Sequence, residues 1–216
     1  MAVTATQVKE LRERTGLGMM DCKKALTESD GDIDLAIENL RKSSGLKAAK
    51  KAGRIANDGI IRMRTSADCA IMVEVNCETD FAARDENFAS FADDVADAIL
   101  ESQSADVAAL LMGGFEARRE TLVQKIGENV SIRRAAVLKG SRAEYLHTNG
   151  KIGVLLDLDG GEEELAKDVA MHIAASNPMV VSPDDVPAET VASERDIFVA
   201  QAADSGKPPE IVAKMV

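Results

Sequence analysis

The side chains able to do chemistry in this chain are few and scattered. His147 and His172 stand 25 positions apart, with no carboxylate or thiol at ligand spacing beside either, so a zinc site is not expected. On the apolar face of its helix, His172 reads as a core residue. Cys22, Cys69 and Cys77 are an odd number of thiols without CxxC spacing, which suits free cysteines in a reducing compartment. Gly113-Gly114 reads as a helix break and Gly160-Gly161 as a turn, so no glycine-rich phosphate loop is present. Asp93-Asp94 and Glu162-Glu163-Glu164 read as solvated faces or first-turn charges that complement a helix dipole. Lys47, Lys50, Lys51 and Arg54 could touch phosphate, but fit a solvated helix face better. No nucleophile–base pair or metal set emerges, so no catalytic residue, metal or cofactor is expected. Binding or regulation fits the chain better than catalysis.

The stretch that invites a binding role runs from Glu74 to Arg84. An alternating strand enters a polar loop, and Phe81 sits in that loop between Thr79-Asp80 and Arg84. With five Phe, one Tyr and no Trp, the chain would be expected to keep its aromatics in the core. A loop aromatic on a rigid scaffold is more often a probe for a partner. The alternative, Phe81 folded back as a local plug, stays open at this point. Met19-Met20 is a second candidate surface. Successive helical residues point about 100° apart, so at least one methionine should be partly exposed, and methionine suits an adaptable interface; burial of both at the bundle's edge is the alternative.

These residues need elements to hold them. Thr4-Ala5-Thr6-Gln7 is a capping-box pattern, after which Val8 and Leu11 share a helix face. Thr15-Gly16-Leu17-Gly18 breaks that helix, a second runs from Met19 to Leu26, and Asp30-Gly31-Asp32 makes the next turn. Ile33, Ala36, Ile37 and Leu40 give a third amphipathic stripe, and Leu46 to Arg54 is an Ala/Lys-rich helical connector. Beyond Arg54 the period changes to alternation. Strands are expected at Gly59–Arg64, Ala70–Cys77 and Ser131–Leu138, with a helix carrying Phe88, Phe91, Val95 and Ile99. Cys77 falls on the apolar face of its strand and reads as core.

The plan then begins again. Tyr145 to Ile152 reads as a hairpin with a type I′ turn at Asn149-Gly150. Ile152, Val154, Leu156 and Leu158 match Ile71, Val73, Val75 and Cys77 at a constant offset of 81 positions, and Leu165, Val169, His172 and Ile173 follow on one helix face. This pattern is an internal duplication. Between strand and helix the first copy has ten residues, Glu78 to Asn87, whereas the second has six, Asp159 to Glu164. The extra length carries Thr79-Asp80-Phe81. After Pro178 an acidic, proline-rich link leads to helical segments at Glu189–Ala203 and Pro209–Val216. The second copy lacks a third strand, and the expectation is that the chain is truncated or completed by another chain.

Bulk properties narrow the class. At 216 residues and a net charge of −11 the chain is globular and acidic, which argues against nucleic acid as its main partner. No apolar run approaches the roughly 18 residues a membrane span requires, and no charged segment followed by an apolar one opens the chain. A cytoplasmic location is expected.

Leu11-Arg12-Glu13-Arg14-Thr15-Gly16-Leu17-Gly18-Met19-Met20-Asp21-Cys22-Lys23-Lys24-Ala25-Leu26 resembles the N-terminal signature of the bacterial elongation factor Ts family. Glu74 to Arg84 resembles its second signature, with Ala82 where the family usually has Val. Ile126-Gly127-Glu128-Asn129 and Met171 to Ala175 are also similar to it. The resemblance implies a guanine-nucleotide exchange factor, not an enzyme, for the translational GTPase elongation factor Tu in its GDP-bound and nucleotide-free states. It implies that Arg12, Met19 and Met20 dock on the GTPase's nucleotide domain. Thr79, Asp80, Phe81 and Ala82 would form the loop that enters near the magnesium site, and His147 would contact the partner from the second copy. The helices after Pro178 serve some members as a dimerisation or accessory element. A passive translation-associated scaffold is the competing class and would bind without speeding nucleotide release. The expected fold is α+β. A three-helix, UBA-like bundle (1–54) precedes a duplicated core of small antiparallel sheets covered by helices (55–140 and an incomplete 141–180). A helical, coiled-coil-like segment (181–216) follows.

Overall fold

Helix α1 (Ala5–Thr15) starts where its sequence says it should. The Thr4 hydroxyl accepts from the Gln7 amide while the Gln7 side chain accepts from the Thr4 amide at 2.9 Å. The Gln7 side-chain amide also donates to the Gly31 carbonyl at 3.0 Å, tying α1 to the turn between α2 (Met19–Glu28) and α3 (Ile33–Lys51). Val8, Leu11, Leu17, Cys22, Leu26, Ala36 and Leu40 form the shared core of these three helices. The computed structural model describes residues 3–140, 142–203 and 209–215.

The third helix and the expected connector prove to be one element. Helix α3 runs unbroken for 19 residues because Ser43 and Ser44 turn their hydroxyls back onto the Leu40 and Arg41 carbonyls instead of competing for the next turn. Its far end packs on α7 (Glu116–Ile126), and Ala48 joins the core of the following layer.

That layer is a three-stranded antiparallel sheet in the order β1 (Asp58–Thr65), β2 (Cys69–Cys77), β3 (Ser131–Lys139). Ile71, Val73, Val75 and Cys77 of central β2 are fully buried against α5 (Glu86–Ser102), which contributes Phe88, Phe91, Val95 and Ile99. Gly59 lets β1 lie close to β2, since a Cβ there would fall 2.2 Å from the Val75 carbonyl oxygen. The segment between α5 and α7 holds a short helix, α6 (Val107–Leu110), and a wide turn, Leu111–Phe115, kinked at Gly114.

The second copy departs from expectation. Strands β4 (Arg142–Leu146) and β5 (Gly153–Asp157) form a two-stranded sheet. It docks on the first sheet through Ile61, whose amide donates to the Gly150 carbonyl at 2.7 Å, and through the Lys151–Asp58 ion pair at 2.9 Å. The connection is not type I′. Gly150 has a φ of 67°, but Asn149 does not have positive φ, and the loop closes by Gly150 donating to the His147 carbonyl. Helix α8 (Glu163–Ser176) buries Ala166 and Ala170, so its contact face is rotated one residue from the expected stripe. Leu165 is 52% exposed and His172 is exposed rather than in the core.

Contacts divide the chain into two units, Met1–Ala174 and Ala175–Val216. In the second, Ser182 caps a single 3₁₀ turn at Pro183–Asp185, and helices α9 (Ala188–Ala203) and α10 (Pro209–Met215) touch each other.

Since Phe88 is completely buried between sheet and helix, Phe88→Ala should lower stability by about 3–5 kcal/mol in urea unfolding. A loss below about 1 kcal/mol would mean that this aromatic does not organise the core.

Candidate partner-binding site

Strand β2 ends its pairing at Cys77, and the chain then makes a single helical turn, α4 (Asp80–Ala83), rather than an irregular loop. Thr79 is the cap, its hydroxyl accepting from the Ala82 amide at 3.3 Å. Ala82 and Ala83 are buried in the sheet–helix core. The same turn therefore rotates Phe81 to the opposite side, where it is 80% exposed. This disposes of the plug alternative. Ala82, grouped with the loop's contact residues in the sequence, seats the turn and does not face solvent. Asp80 is held by Arg84 one turn on, at 2.8 Å.

The base of the turn is pinned by residues far away in sequence. Glu128 Oε2 accepts from the Glu78 and Thr79 amides, both at 3.0 Å, and Oε1 accepts from the Thr79 hydroxyl at 2.7 Å. Glu78 in turn accepts the Asn129 amide at 2.7 Å and pairs with Arg54 at 3.4 Å. The Asn129 side chain donates to the Arg54 carbonyl at 2.9 Å, and Lys51 donates to the Gly127 carbonyl. Gly127 makes this crossing feasible. It ends α7 in the left-handed region, φ 86°, which redirects the chain toward β2. In the sequence, Ile126-Gly127-Glu128-Asn129 carries a family resemblance but no local pattern that ties it to Thr79.

Cys77 lies directly beneath. Its thiol donates to the Thr79 carbonyl at 3.2 Å, and burial, followed by the Glu128 and Asp58 carboxylates, pushes its pKa up to about 12.

The second candidate surface is a groove of about 470 Å³ on the three-helix bundle. Val3, Val8, Met19 and Met20 supply its apolar wall, with Arg12 and Lys23 among its cations. Met19 is 59% and Met20 76% exposed, so both are available, and Arg12 is brought to the same groove. His147 stands apart on the β4–β5 loop, exposed, with Nδ1 2.8 Å from the Tyr145 hydroxyl. Among the described residues, no group of three or more His, Cys, Asp or Glu is placed to hold a metal ion.

The three described cysteines are all buried. A thiol reagent at pH 8 should therefore find no rapidly reacting group in the native chain and react with all three in denaturant. A fast native phase lost in Cys77→Ala would contradict the buried, raised-pKa thiol.

Comparison with known proteins adds an independent observation. The family described as Elongation factor TS matches residues 78–216. The chain is similar to a protein named elongation factor Ts from Hahella chejuensis, 60% identical over 218 residues, covering 100% of this chain and 76% of that protein. The Marinobacter nauticus protein of that name is 56% identical, covering 100% of this chain and 75% of its own length. The one from Yersinia pestis is 55% identical, covering 100% and 76%. These alignments span the bundle as well as the sheets.

Proposed function

This chain belongs to the elongation factor Ts family, and on that premise we propose that Phe81, held out on its capped turn, is the wedge by which it speeds GDP release from elongation factor Tu. Family membership implies a nucleotide exchange factor for elongation factor Tu in translation, not a catalyst of a chemical reaction. The finer reading concerns how exchange is done. Asp80-Phe81 enters between helices of the nucleotide domain near its magnesium site, and the groove bearing Arg12, Met19 and Met20 docks on the same domain. His147 touches the partner from the β4–β5 loop. The 80% exposure of Phe81, beside a fully buried Phe88, is the observation that carries this reading.

The magnitudes agree with the role. Burying a Phe contributes about 1.5–3 kcal/mol, enough to stabilise a displaced helix in the partner. Magnesium and helix N-termini hold a nucleotide's phosphates, so displacement there acts where binding is strongest. Each 1.4 kcal/mol removed from nucleotide binding is about tenfold in affinity. By linkage the nucleotide weakens exchange-factor binding by the same factor, so the chain engages both the GDP-bound and the nucleotide-free partner. A cytoplasmic setting, no direct contact with nucleic acid, and a dimer through α9 and α10 belong to the same reading. The exposed Val191, Ile197 and Phe198 support the last of these.

Release of fluorescent GDP from elongation factor Tu, chased with unlabelled nucleotide, is the direct test. Phe81→Ala should keep the native melting temperature, because the ring buries little, yet slow release roughly ten- to a hundredfold. Release at the native rate by that variant would sink the wedge. Binding of the native chain without any acceleration would favour a passive scaffold.

A further inference from the structure

We propose that Glu128 is the positioning residue of the Phe81 turn, setting its direction without touching the partner. The inference rests on the wedge reading above and names what aims it.

Two main-chain donors at the end of β2 have no strand partner. Pairing with β1 ends at Asp58↔Cys77 and pairing with β3 at Ser131↔Asn76, so the Glu78 and Thr79 amides lie beyond the ladder. Both donate to one carboxylate oxygen of Glu128, at 3.0 Å each. The Glu78 amide is half-buried, where a main-chain donor without a partner is costly, and a carboxylate accepting several donors is a strong clamp. The other oxygen accepts a hydrogen bond from the Thr79 hydroxyl at 2.7 Å. A hydroxyl that donates in one direction presents its lone pairs in another, and here Thr79 Oγ1 accepts from the Ala82 amide at 3.3 Å. The chain of contacts is carboxylate to hydroxyl to amide. It fixes the first peptide of α4 and so decides that Ala82 and Ala83 face inward and Phe81 outward.

The apolar core seats Ala82 and Ala83 but offers no partner to the Glu78 and Thr79 amides. Phe88, Val95 and Ile99 pack on β2 through apolar contacts in which Glu128 has no part. Glu128 reaches its partners across about 50 positions of sequence, an arrangement that local helix capping does not need. Its removal therefore loosens the turn specifically.

The test uses four full-length chains: native, Phe81→Ala, Glu128→Ala and the double variant. GDP release from elongation factor Tu is followed against chain concentration. Glu128→Ala should lower the maximal acceleration roughly tenfold. The half-saturating concentration should stay within about twofold, because the Arg12, Met19 and Met20 groove is untouched. In the Phe81→Ala background the same substitution should cost less than about twofold more, since it acts through Phe81. Hydrogen exchange of the free chain supplies a second readout: the Glu78 and Thr79 amides should exchange faster in Glu128→Ala while those of α5 keep their protection.

Equal losses in the two backgrounds, or native release by Glu128→Ala while Phe81→Ala is slow, would overturn the inference and leave the wedge standing. Loss of protection throughout α5 would also overturn it, by making Glu128 a residue of the general fold. Native release by Phe81→Ala would remove the wedge itself, and this inference with it.

Discussion

Strand β2 is the constraint from which the rest of this molecule follows. It is the central strand, paired on both sides, and its inward face (Ile71, Val73, Val75, Cys77) is completely buried. A slip of one residue would put Ala70, Met72, Glu74 and Asn76 on that face in their place, so its register is strongly specified. The position of Cys77 as the last core residue is thereby determined, and with it the point at which the chain leaves the sheet. Helix α5 packs on the same face through Phe88 and Val95. The two anchors, one at each end, leave Glu78 to Asn87 a short and defined gap to cross.

Within that gap the chain must expose an aromatic without loosening its own backbone. The solution divides the turn by polarity. Small apolar residues, Ala82 and Ala83, enter the core, while Asp80, Phe81 and Arg84 face away from it, the two charges paired at 2.8 Å. Valine at position 82 would add apolar contact at a site that is already buried, so the alanine here trades some packing for an easier fit. The thiol of Cys77 completes the floor, donating to the Thr79 carbonyl, and with a pKa near 12 it stays uncharged beside two carboxylates.

Much of this was legible from residue order because it rests on local rules. The capping box at Thr4, the buried alternation of β2 and the stripe on α5 each express a period or a short-range hydrogen bond. What escaped was tertiary. The Glu128 contacts with Glu78 and Thr79 join segments about 50 positions apart, and neither segment carries a signal for the other. The face of α8 differs from its stripe of large apolar residues because the small Ala166 and Ala170 are the ones it buries. Asn149-Gly150 suggested a two-residue turn, but docking of the hairpin on Ile61 and Asp58 favours a longer loop that offers the Gly150 carbonyl and the Lys151 side chain. The continuity of α3 through Ser43-Ser44-Gly45 likewise depends on where it packs. Its absent Cβ at Gly45 admits Glu120 of α7, and no propensity scale contains that neighbour.

The balance between order and reach explains why one phenylalanine can suffice. Ordering a flexible segment costs roughly 1–2 kcal/mol per residue, so a floppy loop of even three residues would lose all of the about 1.5–3 kcal/mol that burying one Phe returns. A turn already capped by Thr79 and bound at its base has borne that cost during folding, with the core of β2 and α5 as compensation. On the proposed reading the side chain would meet its partner with little left to lose beyond its own rotamers. Rigidity at Thr79 and exposure at Phe81 are therefore one requirement seen from two ends. If Phe81 is the wedge proposed above, the stiffer the base, the larger the share of ring burial that remains for moving a helix in the partner.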